Sequence, residues 1–97
     1  MPNTEAASSN RAIITVLGSD RPGIVASVTG ELADREANIL DISQTILQGI
    51  FTMTMLVDLG DSVDFSELKG ALDGLSEKLG VQITLQREEV FRFMYRL

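Results

Sequence analysis

The sequence contains no cysteine, no histidine and no tryptophan. Without cysteine there are no disulfides, no thiolate metal sites and no thiol catalysis, though the compartment stays open. Without histidine the usual proton shuttle near neutral pH is missing, and so is the commonest metal ligand. Any chemistry would fall to Asp, Glu, Lys and Arg, so the expectation is a protein that is not an enzyme and uses no cofactor.

Positive charge is also scarce, with 8 basic against 14 acidic residues and a formal net charge of −6. Nucleic-acid binding needs a basic footprint that displaces counterions from phosphates, and this chain presents the opposite field. Apolar runs stop well short of the ~20 residues that span a bilayer. The start of the chain shows no charged-then-apolar leader. Neither a nucleic-acid nor a membrane partner is therefore expected, and the expected location is cytoplasmic.

What is present is ordinary for a folded domain: 44% hydrophobic and 23% charged residues over 97 positions. A chain of this size makes one domain that buries roughly 60–65% of the surface exposed when unfolded. Residues 1–10, "MPNTEAASSN", are small, polar and aperiodic, and are expected to form a flexible tail ahead of a domain over 11–97. "RAIITVLG" is β-branched and reads as a buried strand. Gly18 and Pro22 punctuate the stretch after it, with Asp20 or Arg21 and the proline marking a helix start. Ile24, Val25, Val28 and Leu32 then recur at helical spacing.

Leu40, Ile42 and Ile46 alternate with Asp41, Ser43 and Thr45, and Phe51, Met53, Met55 and Val57 alternate with Thr52 and Thr54. Two such runs about Gln48-Gly49 predict a β-hairpin. Ser43, Gln44 and Thr45 read as an ordinary hydrogen-bonded strand face. Asp64 and Glu67 suggest a capping box before a second helix, whose stripe is Phe65, Leu68, Leu72, Leu75 and Leu79 and whose end is Gly80. Val81, Ile83 and Leu85 alternate in a last strand, and Val90, Phe91, Met94 and Tyr95 share one side of a terminal helix. Asp58, Asp61 and Asp64 read as a solvated acidic loop rather than a cation site. The order is β-α-β-β-α-β plus a short C-terminal helix. Right-handed crossovers make this an α+β, ferredoxin-like sandwich: a four-stranded antiparallel sheet with two helices on one face.

"AIITVLGSDRPGIVASVTGELADREANILDISQTIL" resembles the opening of an ACT domain, the small regulatory module that binds amino acids. "NILDISQTILQGIFTMTMLVD" and the ending "VFRFMY" are more specifically similar to the free-standing, single-domain ACT proteins of the UPF0237 group. The resemblance runs from Arg11 to about Tyr95. It implies the same fold, a homodimer whose sheets extend one another, and an amino acid or similar metabolite held between the first turn of one subunit and the second strand of its neighbour. Carried onto this chain, the ligand-binding residues would be Asp20, Arg21, Pro22, Gly23, Ile24, Val25, Asn38 and Ile39.

The chemistry of that turn suits a zwitterion. The first N–H groups of a helix lack intrahelical partners, and the positive end of the dipole lies behind them, so they can seat a carboxylate. Gly23 allows close approach to the backbone, Asn38 offers donor and acceptor, and Asp20 could face an ammonium. Each residue also has a plainer role: cap, helix starter, turn residue or hinge. Two alternatives stand beside ligand sensing. One is a protein–protein assembly module without a ligand, which could act on a regulated protein partner. The other is an acylphosphatase-like hydrolase using Arg21 and Asn38, which Asp20 would oppose by repelling a phosphate. Gly18 and Gly23 stand at P-loop spacing, but Ile24 and Val25 replace the phosphate- and magnesium-binding residues.

Overall fold

The structure is a computed structural model that describes residues 10–94. The elements run β1 (Arg11–Ser19), α1 (Ile24–Asp34), β2 (Asn38–Leu47), β3 (Ile50–Asp58), α2 (Phe65–Leu79), β4 (Gln82–Arg87) and α3 (Glu88–Met94). All strands pair antiparallel in the order β2-β3-β1-β4. This is the ferredoxin-like arrangement expected. The tail proposed for residues 1–10 lies, save for Asn10, outside the described residues, as does Tyr95.

Side-chain alternation divides the sheet into two unlike faces. Ala12, Ile14 and Val16 of β1, Met53, Met55 and Val57 of β3 and Ile83 of β4 turn toward the helices and are buried. They meet Ile24, Val28 and Leu32 of α1 and Leu68 and Leu72 of α2 in one core. Each such side chain fully removed from water adds about 1.5–3 kcal/mol relative to its exposed state. The opposite face carries rows that run straight across the strands. Ser43, Thr54, Thr15 and Thr84 form one row, and Asp41, Leu56, Ile13 and Gln86 form the next.

The hairpin turn is built as the sequence predicts. Gln48 at φ 52° and Gly49 at φ 82° supply the two positive φ angles that a two-residue type I′ turn requires. The preceding strand departs from simple alternation, because a bulge falls between Ile39 and Asp41 and leaves Leu40 outside the pairing register. Ile39, Ile42, Gln44 and Ile46 therefore share the helix-side face, and Asp41, Ser43 and Thr45 share the open one. Only Ile39 reaches the core from β2; Ile42 is 43% and Ile46 53% exposed. The cause is position. Among the described residues β2 is an edge strand, with β3 alone beside it.

The other edge strand, β4, is six residues long. β4 leads directly into α3, whose Glu88 is the buried charged residue among those described, at 6% exposed. Arg11 holds it with two bonds of 2.9 and 2.7 Å, and Arg92 adds a third at 2.9 Å. The Arg11 hydrogen bonds pull the Glu88 carboxyl below its ordinary pKa, burial pushes the other way, and Arg92 assists Arg11. Of the expected apolar side of the terminal helix, Val90 is exposed and Phe91 half-buried. The Glu88 ion pairs tie this helix back to β1.

Candidate functional site

The β1–α1 turn is the most heavily punctuated stretch of the chain, and its geometry is set by backbone rather than by side chains. The helix start falls later than the proline suggests. Pro22 lies in the turn, and Gly23 is the N-cap, in the left-handed region at φ 92°. No side-chain capping bond is made there among the described residues. The capping role open to Asp20 in the sequence is thus not used. A Cβ built on Gly23 would meet nothing within 4 Å, so the space beside the helix start is open. The first bond of the helix, Ser27 N–H to Gly23 O at 2.9 Å, leaves the N–H groups of Ile24, Val25 and Ala26 outside the ladder.

Neighbouring residues anchor the turn. The Asp20 N–H donates to Gly49 O at 2.8 Å, which ties the turn to the β2–β3 hairpin. Arg21 donates through Nη1 to Leu79 O at 2.7 Å, satisfying one of the last carbonyls of α2. Gly18 permits a close crossing, since a Cβ there would lie 2.6 Å from Cγ1 of Val81. The Ile24 side chain is in the core and the Val25 side chain packs against it, so toward a ligand both offer backbone.

Asn38 and Ile39 sit elsewhere. Asn38 opens β2 opposite Asp58, which in turn faces Arg11 at the start of β1. The turn follows the other end of β1, roughly 25 Å away at ~3.3 Å per residue. One chain therefore does not bring Asn38 to Gly23. The same separation denies an acylphosphatase-like reaction its Arg21–Asn38 pair within a chain, and Arg21 is already engaged at Leu79. Asn38 is exposed, while Ile39 packs against the core.

The acidic loop after β3 is engaged with backbone. Asp58 accepts from the Gly60 N–H at 2.9 Å, and Asp64 accepts from the N–H groups of Ser66 and Glu67 at 2.8 and 3.1 Å. Among the described residues no three acidic side chains gather as metal ligands, and no helix is long and apolar enough to cross a membrane. Two anchoring residues escaped sequence reasoning in their true role. Arg21 reaches a carbonyl 58 positions away and Glu88 a guanidinium 77 positions away. No local spacing signals either.

Known proteins agree with this architecture. A family model described as the ACT domain matches residues 10–86. A UPF0237 protein of Methanococcus maripaludis is 54% identical over 86 residues, covering 88% of this chain and 96% of that one. A solved ACT domain protein from Streptococcus pneumoniae superposes with a TM-score of 0.74 at 42% identity, covering 84% of this chain and 92% of that one. The ligand-free regulatory subunit of aspartate kinase from Thermus thermophilus gives a TM-score of 0.64 at 28% identity, over 82% and 52% of the two chains. A strand order of β2-β3-β1-β4, a glycine-capped first helix and a family match across nearly all of the described residues lead to one conclusion: the chain belongs to the ACT domain family.

Proposed function

We propose that this chain is a non-catalytic regulatory domain that binds an amino acid or a similar small metabolite between two copies of itself. ACT domains are typically regulatory ligand-binding modules, and a structural relative is named as the regulatory subunit of an aspartate kinase. The observation that carries the reading is the start of α1. It has N–H groups outside the helix ladder, the positive end of a dipole, a residue without a side chain at the cap, and free space alongside. A carboxylate fits that chemistry.

The second half of the site comes from a neighbour. β2 is ten residues long, lies at the sheet edge and exposes Leu40, Ile42, Ile46 and Leu47. Antiparallel pairing of two β2 strands about a two-fold axis places the Asn38 end of one beside the Leu47 end of the other. Leu47 is next to the hairpin turn whose Gly49 holds Asp20. The dimer thus joins the two groups of residues that a single chain keeps apart. A ligand bound there favours one dimer arrangement by its differential affinity, and that difference is the energy available for a signal.

The competing reading, assembly without a ligand, draws on the same exposed apolar edge. Calorimetric titration of the protein with the common amino acids separates the two. Sensing predicts saturable heat for one or a few of them, with affinity falling about tenfold in Asn38→Ala, the loss of a hydrogen bond to a charged group. Silence across the panel, with the dimer intact by sedimentation, overturns it.

A further inference from the structure

The open face of the sheet holds a depression of about 120 Å³ at the end away from the β1–α1 turn. That is room for a small organic molecule rather than a single water. Ile13 and Leu56 contribute its apolar lining, and Asp41, Ser43 and Thr54 its polar groups. The β2 bulge builds it. Without the extra residue at Leu40, strict alternation from Ile39 would send Asp41 to the helix side; with it, Asp41 stands opposite Leu56 on the open face beside Ser43. Bulges commonly re-aim a side chain in this way beside functional sites.

Among the described residues the fold does not consume these polar groups. The one bond Asp41 makes among the described residues is local, Oδ1 accepting from the Ile42 N–H at 2.9 Å. Its other oxygen is left for an outside donor. A carboxylate and two hydroxyls around an apolar lining match a cation with a short hydrocarbon body. The net charge of −6 draws such cations toward the surface.

We infer that this depression is a second binding site, distinct from the turn, for a small organic ammonium ion: the amine is held by Asp41 and the hydroxyls of Ser43 and Thr54, and its aliphatic part lies on Ile13 and Leu56. The inference does not rest on amino-acid sensing at the turn: within one chain Asp41 lies far along the sheet from Gly23, and an ammonium ion without a carboxylate has nothing to place at the start of α1.

The test is an amide-resonance titration of isotope-labelled protein with n-butylammonium chloride at constant ionic strength. Saturable shifts centred on Ser43, Thr54 and Leu56 are expected. Asp41→Asn keeps the Oδ1 acceptor and hence the local fold, and should weaken binding about tenfold, as should replacing the probe with uncharged n-butanol. Thr54→Val should weaken it by a smaller factor, about threefold. Absence of saturation overturns the site, as do shifts confined to Gly23–Ala26. Equal weakening by Asp61→Asn also overturns it, because the amine would then be reading the general field of the protein.

Discussion

The two strand-to-helix turns of this fold do the same job by different means. The β3–α2 turn is held by carboxylates: Asp58 on the Gly60 N–H, then Asp64 on the N–H groups of Ser66 and Glu67. The β1–α1 turn is shaped by glycines, with Gly18 against Val81 and Gly23 in the left-handed region, and is anchored outward through Asp20 and Arg21, while its helix start receives no side-chain cap among the described residues. A helix end that the protein caps for itself is closed to ligands. A helix end shaped only by backbone stays available, at some cost in local stability. The contrast leaves the start of α1 open to an outside group and the start of α2 filled by the protein's own carboxylate.

Substitutions at the glycine turn should be the most damaging. Gly18→Ala drives a methyl into Val81, where the contact includes Cβ and backbone that cannot swing aside, and should cost about 1–3 kcal/mol in denaturant unfolding. Gly23→Ala meets no neighbour but must hold φ near 92°, so about 1–2 kcal/mol is expected. Gly23→Asn should cost less, because asparagine tolerates that region. An equal loss for both would mean that backbone strain is not what Gly23 relieves.

At the other turn, Asp64→Ala should cost about 1 kcal/mol through loss of the cap. It should leave ligand affinity unchanged, whereas Gly23→Asn should lower affinity by obstructing the open space. Reversal of that pattern would abolish the distinction between the two turns.

The charged joint at α3 gives the comparison a pH axis. Glu88 has a folded pKa below its unfolded value of 4.5, so its contribution is fully present above that pH. As pH falls through 4.5 toward the folded value, the unfolded chain takes up the proton first and the contribution disappears. Wild type should therefore exceed Glu88→Gln in stability at neutral pH, and the gap should close in acid. A gap constant across that range would show that the Arg11–Glu88 pair carries no differential stability. The smallest effect is expected for Arg21→Ala, which removes one exposed bond to Leu79 and should cost about 0.5–1 kcal/mol.

Much of this fold was legible because it is written in local periodicity. The β-branched run of β1, the leucine stripe of α2, the Gln48-Gly49 hairpin, the Asp64 cap and the Gly80 ending at φ 70° all stand where spacing and residue type put them. What was not legible depends on partners distant in sequence or on strand order. Ile42 and Ile46 do stand on the face opposite Asp41, Ser43 and Thr45 as their alternation suggests, but the bulge removes Leu40 from that alternation, and no pattern in "NILDISQ" announces it. Ile42 and Ile46 look like core residues until β2 is found at the edge. Within the candidate site, Gly23 was named through the family resemblance and turn chemistry marked a helix start near Pro22, whereas the cap at Gly23 itself had to be seen in the structure. The roles of Arg21 and the distance of Asn38 required the tertiary structure.

The most direct test tracks the backbone amides of Ile24, Val25 and Ala26 by nuclear magnetic resonance while amino acids are added to the protein. A carboxylate seated at the start of α1 should shift those three resonances downfield together, saturating in step with the side-chain amide of Asn38. Amides that stay still at Ile24–Ala26 while the protein demonstrably binds an amino acid would place the ligand elsewhere and contradict the claim that an uncapped helix start is the seat.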